Sequence, residues 1–289
     1  MPYLSPSELA RRRDANRRAV RRRRLVAAAI ALVSAVAIVA VVASCGSSSA
    51  HHAVTTASPS PATPSKHAAT TPPRPTTSQP IPPAHPSTAH VIFRGPARSE
   101  VALTFDDGFC PPCAARIIHT LATTGAHATI FPNGRYSTSW DPLAPAIRRL
   151  AASGQLTVGN HTFLHNDPVG ESPDAFRTDL ARNETWIEHT FGITARPFFR
   201  PPYGAYNSET VAVAGELGYT KVILWSGTVA DSSPRTEGYI RGALRYWAHP
   251  GSIILMHANY PATSLVLPQL LAILRQRGLR PVTLQELLG

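Results

Sequence analysis

The stretch LTFDDGFCPPC (residues 103–113) ends a short apolar run with two adjacent acids, followed closely by two cysteines. Asp106 and Asp107 would repel each other if both were buried and ionised, so a folded domain seldom keeps such a pair without a use for it. A turn on the surface is one explanation for the pair. The other is a site in which one carboxylate holds a cation while its neighbour handles a proton.

Short strand-like runs alternate with helical patterns along the rest of the chain. The strand-like runs include VALTF (101–105), HATIF (127–131), TKVILWS (220–226) and GSIILMHA (251–258). Such alternation over about 190 residues indicates a parallel α/β domain. This length allows about seven or eight units, enough for a closed or nearly closed barrel, although a doubly wound open sheet would show the same pattern.

Side chains that can bind a metal or transfer a proton follow several of these strands. They are Asp106, Asp107, Asn160, His161, Arg200, Asp231 and His257. In a (β/α) barrel the carboxyl ends of all strands share one face, so we expect these groups to converge. His161 and His165 are four residues apart, and on a helical turn this spacing places both imidazoles on one side. With Asp107 they would form a His-His-Asp set that leaves positions open for water and substrate, as in catalytic zinc sites.

Positive charge is concentrated before the predicted α/β domain. Residues 1–91 carry 11 Lys and Arg against two acids, whereas residues 92–289 carry 17 against 15. The second part has no basic stripe interleaved with aromatic residues. We therefore expect no nucleic-acid partner.

The first 45 residues have the pattern of a membrane-targeting segment. Nine arginines lie within residues 1–24, the predicted basic cytoplasmic segment, and residues 25–43 contain no charge. These 19 residues would make a helix of about 28 Å, close to the thickness of a bilayer core. We predict at 25–45 either a transmembrane signal anchor or a lipoprotein signal with Cys45 as the lipidated residue. Both place the remainder outside the cell, tethered to the membrane.

Residues 46–91 are rich in Pro, Ser and Thr and have few large apolar side chains. A segment of this composition cannot bury enough surface to offset the entropy of ordering, so we predict a disordered linker. The catalytic domain is expected to occupy residues 92–289.

Cys110 and Cys113 lie directly after the paired acids. Outside the cytoplasm so close a pair can persist as a disulfide. The βαβ context of a thioredoxin-type redox motif is not visible here, and two thiolates without a second pair make a poor zinc site. We predict a disulfide that staples the loop beside the acids.

Four motifs, taken together, resemble those of the polysaccharide deacetylase family, the NodB-like carbohydrate esterases. They are TFDDG at 104–108, HTFLH at 161–165, RPPYG at 200–204 and LMH at 255–257. The resemblance implies a distorted (β/α) barrel of about seven units with an open metal site. The implied ion is zinc, with cobalt or nickel able to substitute.

The same resemblance implies a chemical role for the groups at the strand ends. Asp107, His161 and His165 would bind the metal. Asp106 would be the general base that takes a proton from the attacking water, and His257 would be the general acid that protonates the leaving group.

Other residues would support this chemistry, again by resemblance. Arg200 would orient the base, and Asp231 would orient the acid and raise its proton affinity. The backbone N–H of Tyr203 would stabilise the oxyanion. Leu255 would line the pocket for the acetyl methyl group, and Pro202 is also expected in substrate binding.

One segment departs from the family pattern. The family often shows a Trp, two residues, an Asp, two more residues, and then Asp-Trp. Here Trp225 is followed by Thr228, Asp231 and Ser232, so the first Asp and the second Trp are replaced. The lost Trp removes a wall of the substrate groove and places the substrate's identity in question.

The resemblance implies a monomeric deacetylase that acts on an N-acetylated glycan outside the membrane, with peptidoglycan as the nearest such polymer. Three alternatives remain open at this point. They are an O-acetyl esterase for plant polysaccharides such as xylan, a hydrolase of small cyclic amides, and a catalytically silent glycan-binding module.

Overall fold

The structure, a computed structural model, describes residues 88–289. At its centre lies strand β2 (Glu100–Asp107), in which every residue after the first is buried. The hydroxyl of Thr104 donates to the carbonyl oxygen of Ile254 at 2.7 Å, which satisfies the polar group within the otherwise apolar residues 101–105. A parallel strand that is covered on both faces has no solvent-facing side, so its sequence does not alternate between apolar and polar residues.

The strands of the described residues form two parallel sheets. The remaining strands are β1 (His90–Ile92), β3 (Ala128–Pro132), β4 (Leu156–Val158), β5 (Phe198–Phe199), β6 (Lys221–Ile223), β7 (Gly227–Thr228), β8 (Ser252–His257) and β9 (Arg280–Val282). The larger sheet has the order β4-β3-β2-β8-β7, with β9 also paired to β2, and the smaller has the order β1-β6-β5. Each of these pairs runs parallel.

Helices connect most of the strands and cover the sheets. They are α1 (Pro111–Thr124), α2 (Ser137–Trp140), α3 (Ala144–Ala152), α4 (Pro173–Phe191), α5 (Ser208–Glu216), α6 (Glu237–Trp247), α7 (Pro261–Gln276) and α8 (Leu284–Leu288). In α1 the buried residues Ala114, Ile117, Ile118 and Leu121 recur at helical spacing and form one apolar stripe. The helix ends at Thr124 and is followed by Gly125, whose φ of 70° is the left-handed conformation that suits glycine.

The register of the strands places the predicted site at one end of the sheets. Asp106 pairs with His257 of β8, and Asp107 is the last residue of β2. Beyond β4, Asn160 forms an isolated bridge with Phe199 of β5. Because parallel strands end at the same edge, their carboxyl ends bring these residues to one side of the domain.

The prediction of a parallel α/β domain is confirmed, but the strands of the described residues are divided between two sheets rather than joined in one closed ring. Two strands were not predicted. β7 has only two residues, too few for a recognisable pattern. β1 begins at His90, so residues 90–91 belong to a strand although they were assigned to the linker.

Between residues 88 and 289 the structure contains no helix that is both long and apolar enough to cross a bilayer. The predicted segments at 1–24 and 25–45, with the lipidation candidate Cys45, lie outside the described residues, as does the linker up to residue 87. These parts of the organisation stay predictions.

Candidate active site

Asp106 and Arg200 form a buried ion pair at the carboxyl end of β2. Arg200 Nη1 donates to Asp106 Oδ1 at 2.8 Å, while Nε and Nη2 donate to the carbonyl oxygens of Ile223 and Leu224 at 3.2 and 3.3 Å. Burial lowers the pKa of Arg200, yet a guanidinium keeps its proton at physiological pH. One oxygen of Asp106 is therefore fixed, and the other, Oδ2, lies 3.6 Å from His161 Nε2.

Asp107 leaves the strand in a left-handed conformation, with φ at 67°. Its carbonyl oxygen accepts from Trp140 Nε1 at 2.7 Å, and its Oδ2 accepts from Asn259 Nδ2 at 2.7 Å. A Cβ atom on Gly108 would lie 2.1 Å from Trp140 Nε1, so only glycine fits beside the indole. The buried Oδ1 of Asp107 has no hydrogen-bond partner within the described part of the chain. Because an unpaired buried acceptor costs about 1–3 kcal/mol, and more if charged, this oxygen is suited to a cation.

His161 and His165 lie in an irregular loop after β4, so the predicted helical turn is wrong. Thr162 and His165 have positive φ angles of 62° and 59°, which a right-handed helix does not contain. Asn133 Nδ2 donates to the carbonyl oxygens of His161 and Thr162 at 2.6 and 2.8 Å. Asn160 Oδ1 accepts from the Thr162 N–H at 2.9 Å. These two buried amides hold the loop in a form that brings the imidazoles together.

Asp107, His161 and His165 offer three ligand atoms within 4.8 Å of one another, and no other group of this kind occurs in residues 88–289. Asp107 Oδ1 lies 3.2 Å from His165 Nε2 and 3.6 Å from His161 Nε2. Ligand atoms about 2.1 Å from a tetrahedral ion are about 3.4 Å apart. The unpaired Oδ1 and these distances fit a divalent cation such as zinc.

His161 carries its proton on the nitrogen that faces away from the other ligand atoms. Its Nδ1 lies 2.7 Å from the carbonyl oxygen of Arg200, and only a protonated nitrogen can donate to a carbonyl. Nε2 therefore keeps a free lone pair. Burial, and then the proximity of His165, lower the pKa of His161 to about 3. The neutral ring is the form of histidine that binds metals.

His257, at the end of β8, has a raised pKa, whereas the pKa of His161 is lowered. Its Nδ1 lies 2.8 Å from Asp231 Oδ1, and its backbone N–H donates to Asp231 Oδ2 at 3.0 Å. Burial alone lowers the pKa of His257, but the hydrogen bond and charge of Asp231, together with both carboxylates at the end of β2, raise it to about 9. The ring is therefore protonated at neutral pH, and Nε2 is the nitrogen left for the pocket.

These groups open into a cavity of about 480 Å³. Its uncharged lining residues are Pro201, Tyr203, Gly204, Trp225, Thr228, Ala230, Ser232, Leu255 and Asn259. Tyr203 is 70% exposed, and its ring lies 4.7 Å from that of His165. Pro202, expected in substrate binding, is not among the residues that line the cavity, whereas its neighbour Pro201 is. Thr228 and Ser232 both face the cavity, so the departures from the family pattern fall on its wall.

A disulfide links Cys110 and Cys113 at the start of α1. Phe109, which lies between the disulfide and the paired acids, is 44% exposed. Its ring centre lies 5.4 Å from that of Tyr260 and 6.1 Å from that of Tyr136. The disulfide therefore closes the four residues 110–113 directly after Phe109, an exposed aromatic side chain that follows the paired acids.

Four polar side chains that hold the backbone of the site were not predicted from the sequence. They are Asn133, Trp140, Asn183 and Asn259. Asn133 directly follows β3, and Asn259 comes two residues after His257, so their position at strand ends was the available signal. Trp140 ends α2, away from any strand end, and its sequence position gave no such signal.

Comparison with known proteins finds relatives for this domain. The family model described as polysaccharide deacetylase matches residues 94–222. A chitooligosaccharide deacetylase from Azorhizobium caulinodans is 31% identical over 165 residues, which are 57% of this chain and 76% of the relative. A peptidoglycan-N-acetylglucosamine deacetylase from Bacillus cereus is 28% identical over 204 residues, which are 68% of this chain and 70% of the relative.

The solved structures similar to this chain include a pseudoenzyme. It is a family 4 carbohydrate esterase from Bacillus anthracis, 25% identical, with a TM-score of 0.62 over 71% of this chain and 70% of that one. Because an inactive protein can share this fold, activity depends on the side chains at the site.

Proposed function

The chain belongs to the polysaccharide deacetylase family and is a hydrolase of carbon–nitrogen bonds other than peptide bonds; from this premise we propose that it removes N-acetyl groups from a glycan outside the membrane. Peptidoglycan is the proposed substrate, as the named activity of the Bacillus cereus relative suggests. One observation carries the proposal. A fixed carboxylate, a protonated imidazole and three metal-ligating atoms all open into the same cavity.

Asp106 is suited to act as the general base. Arg200 holds Oδ1 and compensates the buried charge, which leaves Oδ2 to accept a proton from water. A divalent cation bound by Asp107, His161 and His165 would supply Lewis-acid polarisation and make nearby water more acidic. The base and the ligand are neighbours in sequence, so the proton acceptor lies beside the cation position.

His257 is suited to act as the general acid. Asp231 holds its Nδ1 and keeps the ring charged at neutral pH, so Nε2 can donate a proton to the departing amine. The two buried carboxylates thus serve different groups: one receives a proton, and the other holds an imidazole that gives one. Groups with opposed environments of this kind allow acid and base catalysis at a single pH.

The cavity offers a place for the acetyl group. Leu255 lines it with an apolar side chain that would contact the acetyl methyl. We assign to the backbone N–H of Tyr203 the role of stabilising the oxyanion. The φ of 60° at Tyr203 lies in the left-handed region, an uncommon conformation for a bulky residue that often marks a functional site.

A membrane tether fits the way the chain enters the domain. β1 pairs in parallel with β6, so His90 lies at the amino end of the sheet, opposite the pocket. A tether of either kind, a signal anchor at 25–45 or a lipid on Cys45, would therefore join the domain at the end away from the pocket and leave the pocket uncovered. This arrangement suits a polymeric substrate in the cell wall.

Ser232 lies in the pocket wall where the family often has Trp, and its small side chain leaves room for a different glycan. Acetylated xylan, an O-acetylated substrate, should therefore be tested beside N-acetylated polymers. Acetate release by the full-length protein should be measured on peptidoglycan, chitin oligomers and acetylated xylan. We expect release from peptidoglycan. Release from xylan alone would indicate an O-acetyl esterase, and binding without release from any polymer would indicate a silent binding module.

Two variants test the assigned roles. Asp106→Asn should keep the metal and lower kcat by about 10²–10⁴-fold, the usual contribution of a general base. Asp107→Asn should lose metal, and added metal should restore part of its activity. Metal content measured by atomic emission distinguishes them: loss of the ion in Asp106→Asn with retention in Asp107→Asn would reverse the assignment.

A further inference from the structure

Asn259 has an orientation that its neighbours determine. Its Oδ1 accepts from the backbone N–H groups of Gly108 and Phe109 at 3.1 and 3.3 Å. An amide NH₂ group in that position would face two other donors, so the oxygen must point to the backbone. The NH₂ group therefore points to Asp107 and donates to Oδ2 at 2.7 Å.

This hydrogen bond makes the two oxygens of Asp107 different. Oδ2 is taken by Asn259, whereas Oδ1 faces His161 and His165 and has no partner among the described residues. We propose that Asn259 is a positioning residue that holds Asp107 as a one-oxygen ligand and thereby sets the affinity of the site for a divalent cation. This inference rests on the metal-binding role assigned to Asp107 under the proposed function.

The hydrogen bond that holds the backbone of Asp107 does not also orient its carboxylate, so the contact with Asn259 has a separate effect. Trp140 holds the carbonyl oxygen of Asp107, which fixes the main chain but leaves the carboxylate free to rotate. In the described part of the chain, Asn259 is the hydrogen-bond partner of that carboxylate. Without it, Oδ1 and Oδ2 could exchange places or turn away from the imidazoles. Hydrogen-bond partners of metal ligands typically change metal affinity by about 10–100-fold when they are removed.

A purely structural role is the competing explanation, because Asn259 also anchors the loop that carries Phe109 and the disulfide. The neighbouring Tyr260 separates the two roles. Its ring packs edge-on against Phe109, so Tyr260→Leu disturbs the same loop and leaves the amide of Asn259 in place. Asn259→Ala removes both amide functions, and Asn259→Gln keeps the amide on a longer side chain.

The test is the dissociation constant for Zn²⁺ of the metal-free full-length protein, measured by competition with a chromogenic chelator. We expect Asn259→Ala to raise it about 10–100-fold, Asn259→Gln to raise it less, and Tyr260→Leu to leave it within about twofold. At saturating Zn²⁺, kcat of Asn259→Ala should recover to within about threefold of the original, because the base and the acid are untouched.

Two outcomes would overturn the proposal: an unchanged dissociation constant in Asn259→Ala, or an equal rise in Tyr260→Leu. Circular dichroism of each metal-free variant shows whether it is folded, and if Asn259→Ala is not, the comparison of Asn259→Gln with Tyr260→Leu decides. Zinc affinity that depends on Asn259, found in a protein that releases no acetate, would uphold this inference while the proposed function fails.

Discussion

The two ends of the sheets contain ion pairs of similar length in opposite surroundings. At the carboxyl end, Arg200 and Asp106 lie 2.8 Å apart with side chains 0% and 4% exposed. At the amino end, Arg280 and Glu100 lie 2.6 Å apart with side chains 57% and 16% exposed. The amino end also has the larger cavity, about 640 Å³ against about 480 Å³. Neither cavity volume nor ion-pair distance distinguishes the pocket end, whereas the burial of both partners of the ion pair does.

The reason lies in the cost of removing charge from water. A charge buried without a partner is strongly destabilising, and even a paired one often contributes little net stability. A protein that keeps several buried charges at one end of a sheet therefore has a use for them there. Arg280 remains largely in water, so its pairing with Glu100 is screened and adds little. Breaking each pair in turn would test this difference.

Arg200→Met should have the largest effect. It leaves Asp106 buried without its partner, and breaking a buried pair in this way costs about 3–5 kcal/mol. Activity should fall by about a hundredfold or more, because the base also loses the contact that orients it. Denaturant unfolding of the full-length protein measures the first effect, and acetate release measures the second.

The double variant Arg200→Met/Asp106→Asn separates the two sources of this cost. If the unpaired charge dominates, neutralising Asp106 should recover much of the lost free energy of unfolding. Equal destabilisation of the single and double variants would instead assign the cost to the other contacts of Arg200, with the carbonyl oxygens of Ile223 and Leu224.

Asp231→Asn should have an intermediate effect, visible in the pH dependence. The carboxylate of Asp231 is the main group that raises the pKa of His257 to about 9 against the effect of burial. Without its charge the pKa should fall towards or below the ordinary value of about 6.5, so the acid loses its proton at lower pH. The alkaline limb of kcat against pH should move down, with a loss of about tenfold or more at pH 8.

The pH at which the alkaline limb of kcat falls in Asp231→Asn tests this prediction. An alkaline limb that stays in place in Asp231→Asn, with unchanged metal content, would show that His257 is not the acid or that Asp231 does not control it. Asp106→Asn is the useful comparison, because it should lower kcat across the whole pH range and move the alkaline limb less, since Asp106 raises the pKa of His257 less than Asp231 does.

Much of this end of the molecule was predictable because strand ends follow simple rules. The alternation of strand and helix predicted a parallel sheet, and a parallel sheet brings Asp106, His161 and His257 to one edge whatever its detailed closure. The spacing of the two histidines suggested a helical turn, but buried amides impose an irregular loop with positive φ angles instead. A tertiary contact of this kind leaves no trace in local spacing.

The residues that hold the site were harder to predict for a related reason. Asn133, Trp140 and Asn259 act through hydrogen bonds to backbone atoms or to one oxygen of a carboxylate. Such contacts depend on the register between distant segments, for example the 152 positions that separate Asn259 from Asp107. An asparagine after a strand is common, and only the folded arrangement shows which one faces a ligand.

Arg280→Gln should have the smallest effect and so complete the comparison between the ends. Its guanidinium pairs with Glu100 and lies 3.4 Å from Glu286, but 57% of the side chain is exposed. Exposed pairs contribute about 0–1 kcal/mol, so the thermal midpoint should fall by no more than about 4 °C in low salt. In 0.5 M NaCl the difference should shrink further, since screening weakens the pair in the original protein too. Acetate release and zinc affinity should not change, because Arg280 begins β9 at the end opposite the pocket. If Arg280→Gln lost as much stability and activity as Arg200→Met, burial of the ion pair would not explain the difference between the two ends. The cavity at the amino end would then be a candidate ligand site as well.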